Sequence, residues 1–158
     1  MVATSVDSSY RKKMSSILVV SGMFYEDLAG SLLQGAVQAV LEAGLSCDTV
    51  GVPGALEIPQ AIRYAISGGK YAGYIALGTV IRGETGHYDI VANESSRALM
   101  ELALTHQVPI GNGILTVENF EQAWDRADPA RRNKGGEAAK AVIELLALKR
   151  RLAKGTKV

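Results

Sequence analysis

Residues 78–87 read GTVIRGETGH and hold the densest set of side chains in this chain suited to chemistry on a small anionic molecule. Thr79 and Thr85 offer hydroxyls, Glu84 a carboxylate, Arg82 a cation and His87 an imidazole. Gly83 and Gly86 let the backbone turn and present its amides, an arrangement suited to an anion. The preceding Tyr74-Ile75-Ala76-Leu77 is a continuous apolar run, as expected of a strand buried on both faces. From Tyr88 to Gln107 the periodicity is helical. The stretch therefore reads as strand, loop and helix start. His87 stands where unpaired helix amides favour an imidazole that accepts a proton over one that already carries it.

Other candidates stand after the remaining apolar runs. Phe24 follows the first, and Ala55, Leu56 and Glu57 follow the second. Val80 and Ile81 continue from Thr79, Asn112 lies within the fourth run, and Arg126 and Lys134 come after it. In open parallel sheets, ligands bind beyond the carboxyl ends of the strands, where these residues would meet. Together they suit a flat polar heterocycle plus a phosphate. Each also has a plainer reading: Phe24 as core, Glu57 as a helix-dipole partner, Arg126 and Lys134 as solvated cations, His106 as a helix cap.

Several familiar chemistries are excluded. Gly69-Lys70 has Tyr64 where a phosphate-binding P-loop needs its first glycine. Gly111-Asn112-Gly113 has Thr116 where the dinucleotide fingerprint needs its third. Gly22 and Thr79 occupy the places where a phospho-accepting receiver domain carries acids. His87 and His106 are 19 residues apart on one helix, about 28 Å at ~1.5 Å per residue, too far to share a metal.

Elements that alternate between strand and helix must position these residues. Strands are expected at Ile17–Ser21, Ser46–Val52, Ala72–Val80 and Ile110–Val117. The first helix starts at Glu26, with Leu28, Leu32, Ala36, Ala39, Val40 and Ala43 inward and Gly44 as its stop. A second covers Ala55–Ser67 with Pro59 in its first turn, ended by Gly68-Gly69. The helix after His87 should bury Val91, Ala98, Leu102 and Ala103, with Glu94, Arg97 and Glu101 as spaced ion pairs on its wet side. A short helix at Glu118–Ala127 and a long one at about Asn133–Ala153 complete the set, the latter with Ala138, Ala141, Val142 and Leu145 inward. The alternation predicts an α/β fold, a parallel sheet with helices on both faces and right-handed crossovers.

Composition bounds the rest. The chain has 158 residues, 47% apolar and 21% charged, enough for one domain with a substantial core. We divide it into a flexible arm over 1–16 with a short strand near 9–13, a single domain over 17–154, and a tail over 155–158. A net charge of +1 gives no general attraction to nucleic acid, and the basic tail residues suit a helix C-terminus. The one cysteine, Cys47, is expected to be a buried thiol in the second strand and allows no internal disulfide. No apolar run approaches the ~20 residues that span a bilayer, and Ile17–Val20 is too short for a signal peptide's apolar core. A cytoplasmic protein without membrane contact is expected.

Five motifs in order are more specific than any single one: GALEIP (Gly54–Pro59), GTVIRGETGHYD (Gly78–Asp89), NES (Asn93–Ser95), GILTVEN (Gly113–Asn119) and NKG (Asn133–Gly135). With them the chain resembles the lumazine synthase family of riboflavin biosynthesis over roughly residues 17–150. The resemblance implies a flavodoxin-like three-layer α/β/α fold with a four-stranded parallel sheet in the order 2-1-3-4. It implies a homopentamer with active sites between adjacent subunits. It also implies condensation of 5-amino-6-ribitylamino-2,4-pyrimidinedione with 3,4-dihydroxy-2-butanone 4-phosphate, giving 6,7-dimethyl-8-ribityllumazine, phosphate and water, without metal or organic cofactor.

Carried over by position, Phe24 would stack on the pyrimidine, and the backbone of Ala55 and Leu56 with the Glu57 carboxylate would hold the ribityl chain. Thr79, Val80 and Ile81 would line the ring pocket, Glu84 and Thr85 would bind phosphate, and His87 would transfer protons. From the neighbouring subunit, Asn112 would approach the ring, Arg126 would grip phosphate and Lys134 would contact the pyrimidine edge.

Two departures stand out: Asn112 replaces an aromatic found in many relatives, and the 128–132 loop carries Pro129 and Ala130, the latter in place of a lysine seen in some relatives. That loop bears on capsid assembly in the family, so a free pentamer or a decamer is expected. The departures also motivate a different reading, a non-catalytic flavin or lumazine carrier or a shell subunit. A third is the related riboflavin synthase of the same fold.

Overall fold

Parallel pairing sets the architecture of the computed structural model, which describes residues 15–155. Strand β1 (Ser16–Gly22) pairs with β2 (Ser46–Val52) on one side and with β3 (Gly73–Ile81) on the other. Strand β4 (Ile110–Val117) pairs with β3, in register from Tyr74↔Ile110 to Ile81↔Val117. The sheet order is β2-β1-β3-β4, as expected. Parallel neighbours need a crossover, and helices supply each one. The three crossovers are α1 (Glu26–Glu42), α2 (Ile58–Gly68) and α3 (His87–His106); α4 (Phe120–Ala127) and α5 (Lys134–Ala153) follow β4. The expected strand near residues 9–13 and nearly all of the expected arm lie outside the described residues.

Side chains alternate across a strand, so the central strands feed two cores. Ile17, Val19, Ile75, Leu77, Leu115 and Val117 face α1, α4 and α5. Leu18, Val20, Tyr74, Ala76, Val80 and Ile114 face α2 and α3. Every residue of β1 is buried. Burying each such aliphatic side chain contributes about 1.5–3 kcal/mol. Edge strand β2 is largely exposed. Cys47 on it is therefore half-buried, not fully buried as expected; partial burial and the Asp48 charge push its thiol pKa up.

Two element boundaries move for identifiable reasons, and a third stands where it was expected. Pro59 falls in the first turn of α2, and a 3₁₀ turn at Ala55–Glu57 precedes that helix. The expected single helix is thus split. Asn119 caps α4, its Oδ1 accepting from the Gln122 amide at 2.9 Å, so the helix starts at Phe120. Gly44 takes the left-handed conformation, φ 74°, just past α1.

The buried stripes of the long helices differ from those expected. Helix α3 buries Ala92, Ser95 and Leu99, while Val91, Ala98, Leu102 and Ala103 are only partly covered. Helix α5 buries Ala138, Ala139, Val142 and Leu146; Ala141 and Leu145 are exposed. In α1, Ala43 is exposed and Ala39 half-buried. In both long helices the stripe that meets the sheet is turned by about one position from the expected one, so that Ala92, Ser95 and Leu99 in α3 and Ala138, Val142 and Leu146 in α5 face inward. Ser95 fits because its hydroxyl donates to the Val91 carbonyl at 2.7 Å.

A helix comes close to the sheet at Gly111 on β4. A Cβ there would collide with the Ala138 carbonyl of α5 and with Val142 Cγ2, 2.9 Å away. Neither backbone can yield. Gly111→Ala is expected to destabilise the protein by about 3 kcal/mol, the upper range for overpacking. Gly30→Ala, in α1 with nothing within 4 Å of the added methyl, should stabilise it by about 0.5–1 kcal/mol. Urea denaturation midpoints check both; equal effects would contradict the packing argument.

Candidate active site

The carboxyl ends of β1 and β3 and the turn after β2 meet around a hollow of about 380 Å³. Phe24, Ala55, Leu56, Glu57, Thr79, Val80, Ile81, Thr85 and His87 all line it. The set falls into three groups, Phe24, Ala55–Glu57 and Thr79–His87, 31 and 22 positions apart in sequence, and parallel pairing brings them to one rim. Phe24 is not core: it is 76% exposed, edge-on to Tyr25 with centroids 4.9 Å apart. Tyr25 in turn stands edge-on to Phe120 at 5.2 Å, so a short aromatic row backs the exposed ring. Close approach holds the floor. A Cβ on Gly22 would lie 3.0 Å from the Gly54 carbonyl carbon, and the Met23 amide donates to the Val52 carbonyl at 2.8 Å.

Glu57 ends the 3₁₀ turn, its amide bonded to the Gly54 carbonyl at 3.2 Å, and its half-buried carboxyl group faces the hollow. Buried Thr79 Oγ1 has no protein hydrogen-bond partner. His87 is the first residue of α3, and its amide donates to Thr85 Oγ1 at 3.3 Å. Glu84 is exposed on the loop and does not line the hollow. Arg82 is committed elsewhere. Its guanidinium binds both Glu118 oxygens at 3.0 and 3.2 Å, reaches Asp89 at 3.5 Å and lies 4.0 Å from the Tyr88 ring centroid. Hydrogen bonding to Glu118, then to Asp89, pushes its pKa up.

Asn112, Arg126 and Lys134 lie apart from this hollow. They line a second depression, about 360 Å³, on the open edge of β4 between α4 and α5. Asn112 has its polar atoms engaged: Oδ1 accepts from the Ile114 amide at 3.0 Å, and Nδ2 donates to Ser96 Oγ at 3.3 Å. Arg126 donates to the Gln122 carbonyl at 3.2 Å and is 4.0 Å from Asp125, whose carboxylate is held more closely by Arg132 at 2.6 Å. Lys134 pairs with Glu137 at 2.7 Å.

Asn133 fixes where Lys134 emerges. It adopts a left-handed backbone, φ 46°, and its Oδ1 accepts from the Gly136 amide at 3.1 Å, starting α5. Gly35 of α1 makes room, since a Cβ there would collide with Asn133 Oδ1. The NKG motif is thus a cap, a cation and a close-packing residue in succession.

The sequence reading placed its site residues on the right elements but missed Tyr25, Tyr88 and Val91, which also line the hollow. Spacing contained the signal for two of them. Tyr88 and Val91 lie one and four residues beyond His87, on the same side of the first turns of α3. Among the described residues, no group of three or more His, Cys, Asp or Glu is placed to hold a metal ion, and no helix is long and apolar enough to cross a membrane.

Asn133→Ala is expected to cost about 2 kcal/mol, through the lost cap and the strained left-handed backbone. Asn133→Gly should cost less, because glycine tolerates that conformation. Comparing their urea midpoints tests whether the asparagine acts as a cap.

Comparison with known proteins places the chain in a family. Residues 14–150 match the family model described as 6,7-dimethyl-8-ribityllumazine synthase. A 6,7-dimethyl-8-ribityllumazine synthase of Agrobacterium fabrum is 55% identical over 141 residues, covering 86% of this chain and 95% of the relative. One from Zymomonas mobilis is 55% identical over 139 residues, covering 88% and 99%. One from Bartonella tribocorum is 55% identical over 141 residues, covering 89% and 93%.

Proposed function

The chain belongs to the 6,7-dimethyl-8-ribityllumazine synthase family, and from that membership we propose how its residues divide the work of one condensation. The substrates are 5-amino-6-ribitylamino-2,4-pyrimidinedione and 3,4-dihydroxy-2-butanone 4-phosphate; the products are 6,7-dimethyl-8-ribityllumazine, phosphate and water. The observation that carries the assignment is the split between two depressions. Phe24, Glu57 and His87 gather at the strand ends, whereas Asn112, Arg126 and Lys134 gather on the open edge of β4. A site needing both sets is completed when the β4 edge of one copy faces the strand ends of another.

Surface chemistry supports such docking. An apolar groove of about 500 Å³ runs along α3 and α5 beside β4, lined by Met100, Leu104, Val108, Ile110 and Leu152 among others. Met100, Leu104 and Leu152 are more than half exposed in the single chain. Contiguous apolar surface of this kind marks an interface. A cytoplasmic homopentamer, alone or paired as a decamer, accounts for it.

The roles follow from the chemistry. Phe24 stacks on the pyrimidine ring, and Thr79, Val80 and Ile81 wall it. Ala55 and Leu56 backbone groups and the Glu57 carboxylate hold the ribityl hydroxyls. The exocyclic amine attacks the ketone carbon; the C–N bond forms, and the carbonyl oxygen leaves as water. Proton loss from C3 then expels phosphate, the enol left behind tautomerises to a ketone at C3, and attack of the ribityl-bearing nitrogen on that carbonyl closes the ring with loss of a second water. His87, within the hollow, moves protons in these steps. Phosphate charge is met by the Thr85 loop, with Glu84 contributing its backbone, and by Arg126 of the adjoining copy, whose fork matches phosphate oxygens. Lys134 contacts the pyrimidine edge, and Asn112 approaches the ring without stacking on it. Holding both substrates together supplies much of the acceleration; aligned intramolecular reactions gain roughly 7–11 kcal/mol at best.

Fluorescence of the lumazine product tests this directly. The rate should exceed the spontaneous condensation. His87→Ala should lower kcat by about 10²-fold, the low end for lost proton transfer. Arg126→Ala should raise KM for the phosphorylated ketone, with a smaller effect on the pyrimidine. A rate equal to background, with tight riboflavin binding, would favour a flavin carrier; direct formation of riboflavin from lumazine would favour riboflavin synthase.

A further inference from the structure

Resting on that functional reading, we infer that Arg82 is a positioning residue, whose clamp on Glu118 and Asp89 holds the 83–87 loop in its phosphate-binding shape. The sequence presents Arg82 as the loop's own anion-binding cation, and the structure places its charge elsewhere. The guanidinium grips Glu118, the residue just after β4, through both carboxylate oxygens at 3.0 and 3.2 Å. A second nitrogen is 3.5 Å from Asp89 in the first turn of α3. The cation also lies over the Tyr88 ring, at 4.0 Å from its centroid, and Tyr88 lines the hollow. On the backbone, the Arg82 amide donates to the Val117 carbonyl at 3.0 Å. One residue thus ties the end of β3 to the end of β4 and to the start of α3, on the two sides of the loop.

Between those ties the loop has little else to define it. Gly83 and Gly86 have nothing within 4 Å of where a Cβ would stand. Within the loop, the side-chain bond is Thr85 Oγ1 to the His87 amide, at 3.3 Å. Glycines without neighbours cost entropy to order, so a crosslink spanning them reduces the conformations available. The clamped groups are 40% to 58% exposed, so the pairs add little to global stability. Their effect falls on loop geometry, and hence on the amides, Thr85 and His87 that the loop presents.

The alternative is that Arg82 swings free and contacts phosphate itself. Glu118→Gln separates the two. If Arg82 contacts phosphate, weakening its carboxylate partner frees the cation and lowers KM for the phosphorylated ketone. If it positions the loop, the same change raises that KM. We expect Arg82→Gln to raise KM for the phosphorylated ketone about tenfold, the size of one lost charge-assisted hydrogen bond, with the pyrimidine KM within about twofold. Glu118→Gln should move it the same way by less. The double variant should be no worse than Arg82→Gln, as expected of partners in one interaction. Arg82→Lys, which keeps a cation near both carboxylates, should recover part of the loss.

Hydrogen exchange on the full-length protein gives a readout independent of turnover. Amides of residues 83–87 should exchange faster in Arg82→Gln and Glu118→Gln, with β1 and β3 unchanged. A fall in KM on Glu118→Gln, equal increases for both substrates in Arg82→Gln, or unaltered loop exchange would each overturn the inference. An inactive wild-type protein would instead overturn the functional reading, and the exchange comparison would still decide the clamp.

Discussion

Parallel pairing of β1 with β3 and of β3 with β4 is the constraint on which the rest of this molecule depends. A parallel neighbour cannot be reached by a tight turn, so each of β1, β2 and β3 is followed by a helix that returns the chain to the same starting edge. All strands consequently end at one rim. Phe24, Glu57, Thr79 and His87 converge there although they are dispersed along 64 residues of sequence, from position 24 to 87. Burial on both faces keeps the arrangement fixed. Tyr74, Ile75, Ala76 and Leu77 are each no more than 1% exposed, so β3 has no freedom to shift its carboxyl end.

The same constraint leaves two strand edges open, and they differ. The β2 edge is a largely exposed strand of mixed polarity. The β4 edge is flanked by Arg126, Lys134 and Asn112 on one side and by an apolar groove on the other. Helix α5 packs closely enough on β4 that Gly111 cannot carry a side chain, and α1 and α5 meet across Gly35 and Asn133. This close packing fixes the direction in which Lys134 leaves the helix. Backbone-level contacts therefore serve both to seal the core and to aim a cation.

Electrostatics sort the cations into two groups. Arg82, Arg97 and Arg132 are held by carboxylates at 3.0 Å or less, in pairs that rigidify local structure. Arg97 bridges Glu94 and Glu101 on one face of α3 and holds the Glu94 carboxyl below its usual range. Arg126 is less tightly engaged, with a backbone carbonyl at 3.2 Å and a carboxylate only at 4.0 Å. A guanidinium whose charge is not already neutralised is the one suited to an incoming anion.

The order of apolar runs, glycines and caps in the sequence was enough to determine the four parallel strands and their helices, while the strand order was implied by the family resemblance. Each strand and helix is a local pattern, and parallel pairing follows from their alternation. Residue type and spacing also marked the rim residues from Phe24 to His87. Tertiary structure alone decided which face of each helix meets the sheet. It turned Ala141 and Leu145 outward and set Ser95 inward, a stripe offset by about one position from the one the apolar pattern suggests. It alone paired Arg82 with Glu118, 36 residues away, and so removed from the anion site the cation that local sequence had put there. It also separated Asn112, Arg126 and Lys134 from the hollow of their own chain, where strand-end reasoning had gathered them and only the family resemblance set them apart, since no local pattern records which side of a sheet edge a later helix will occupy.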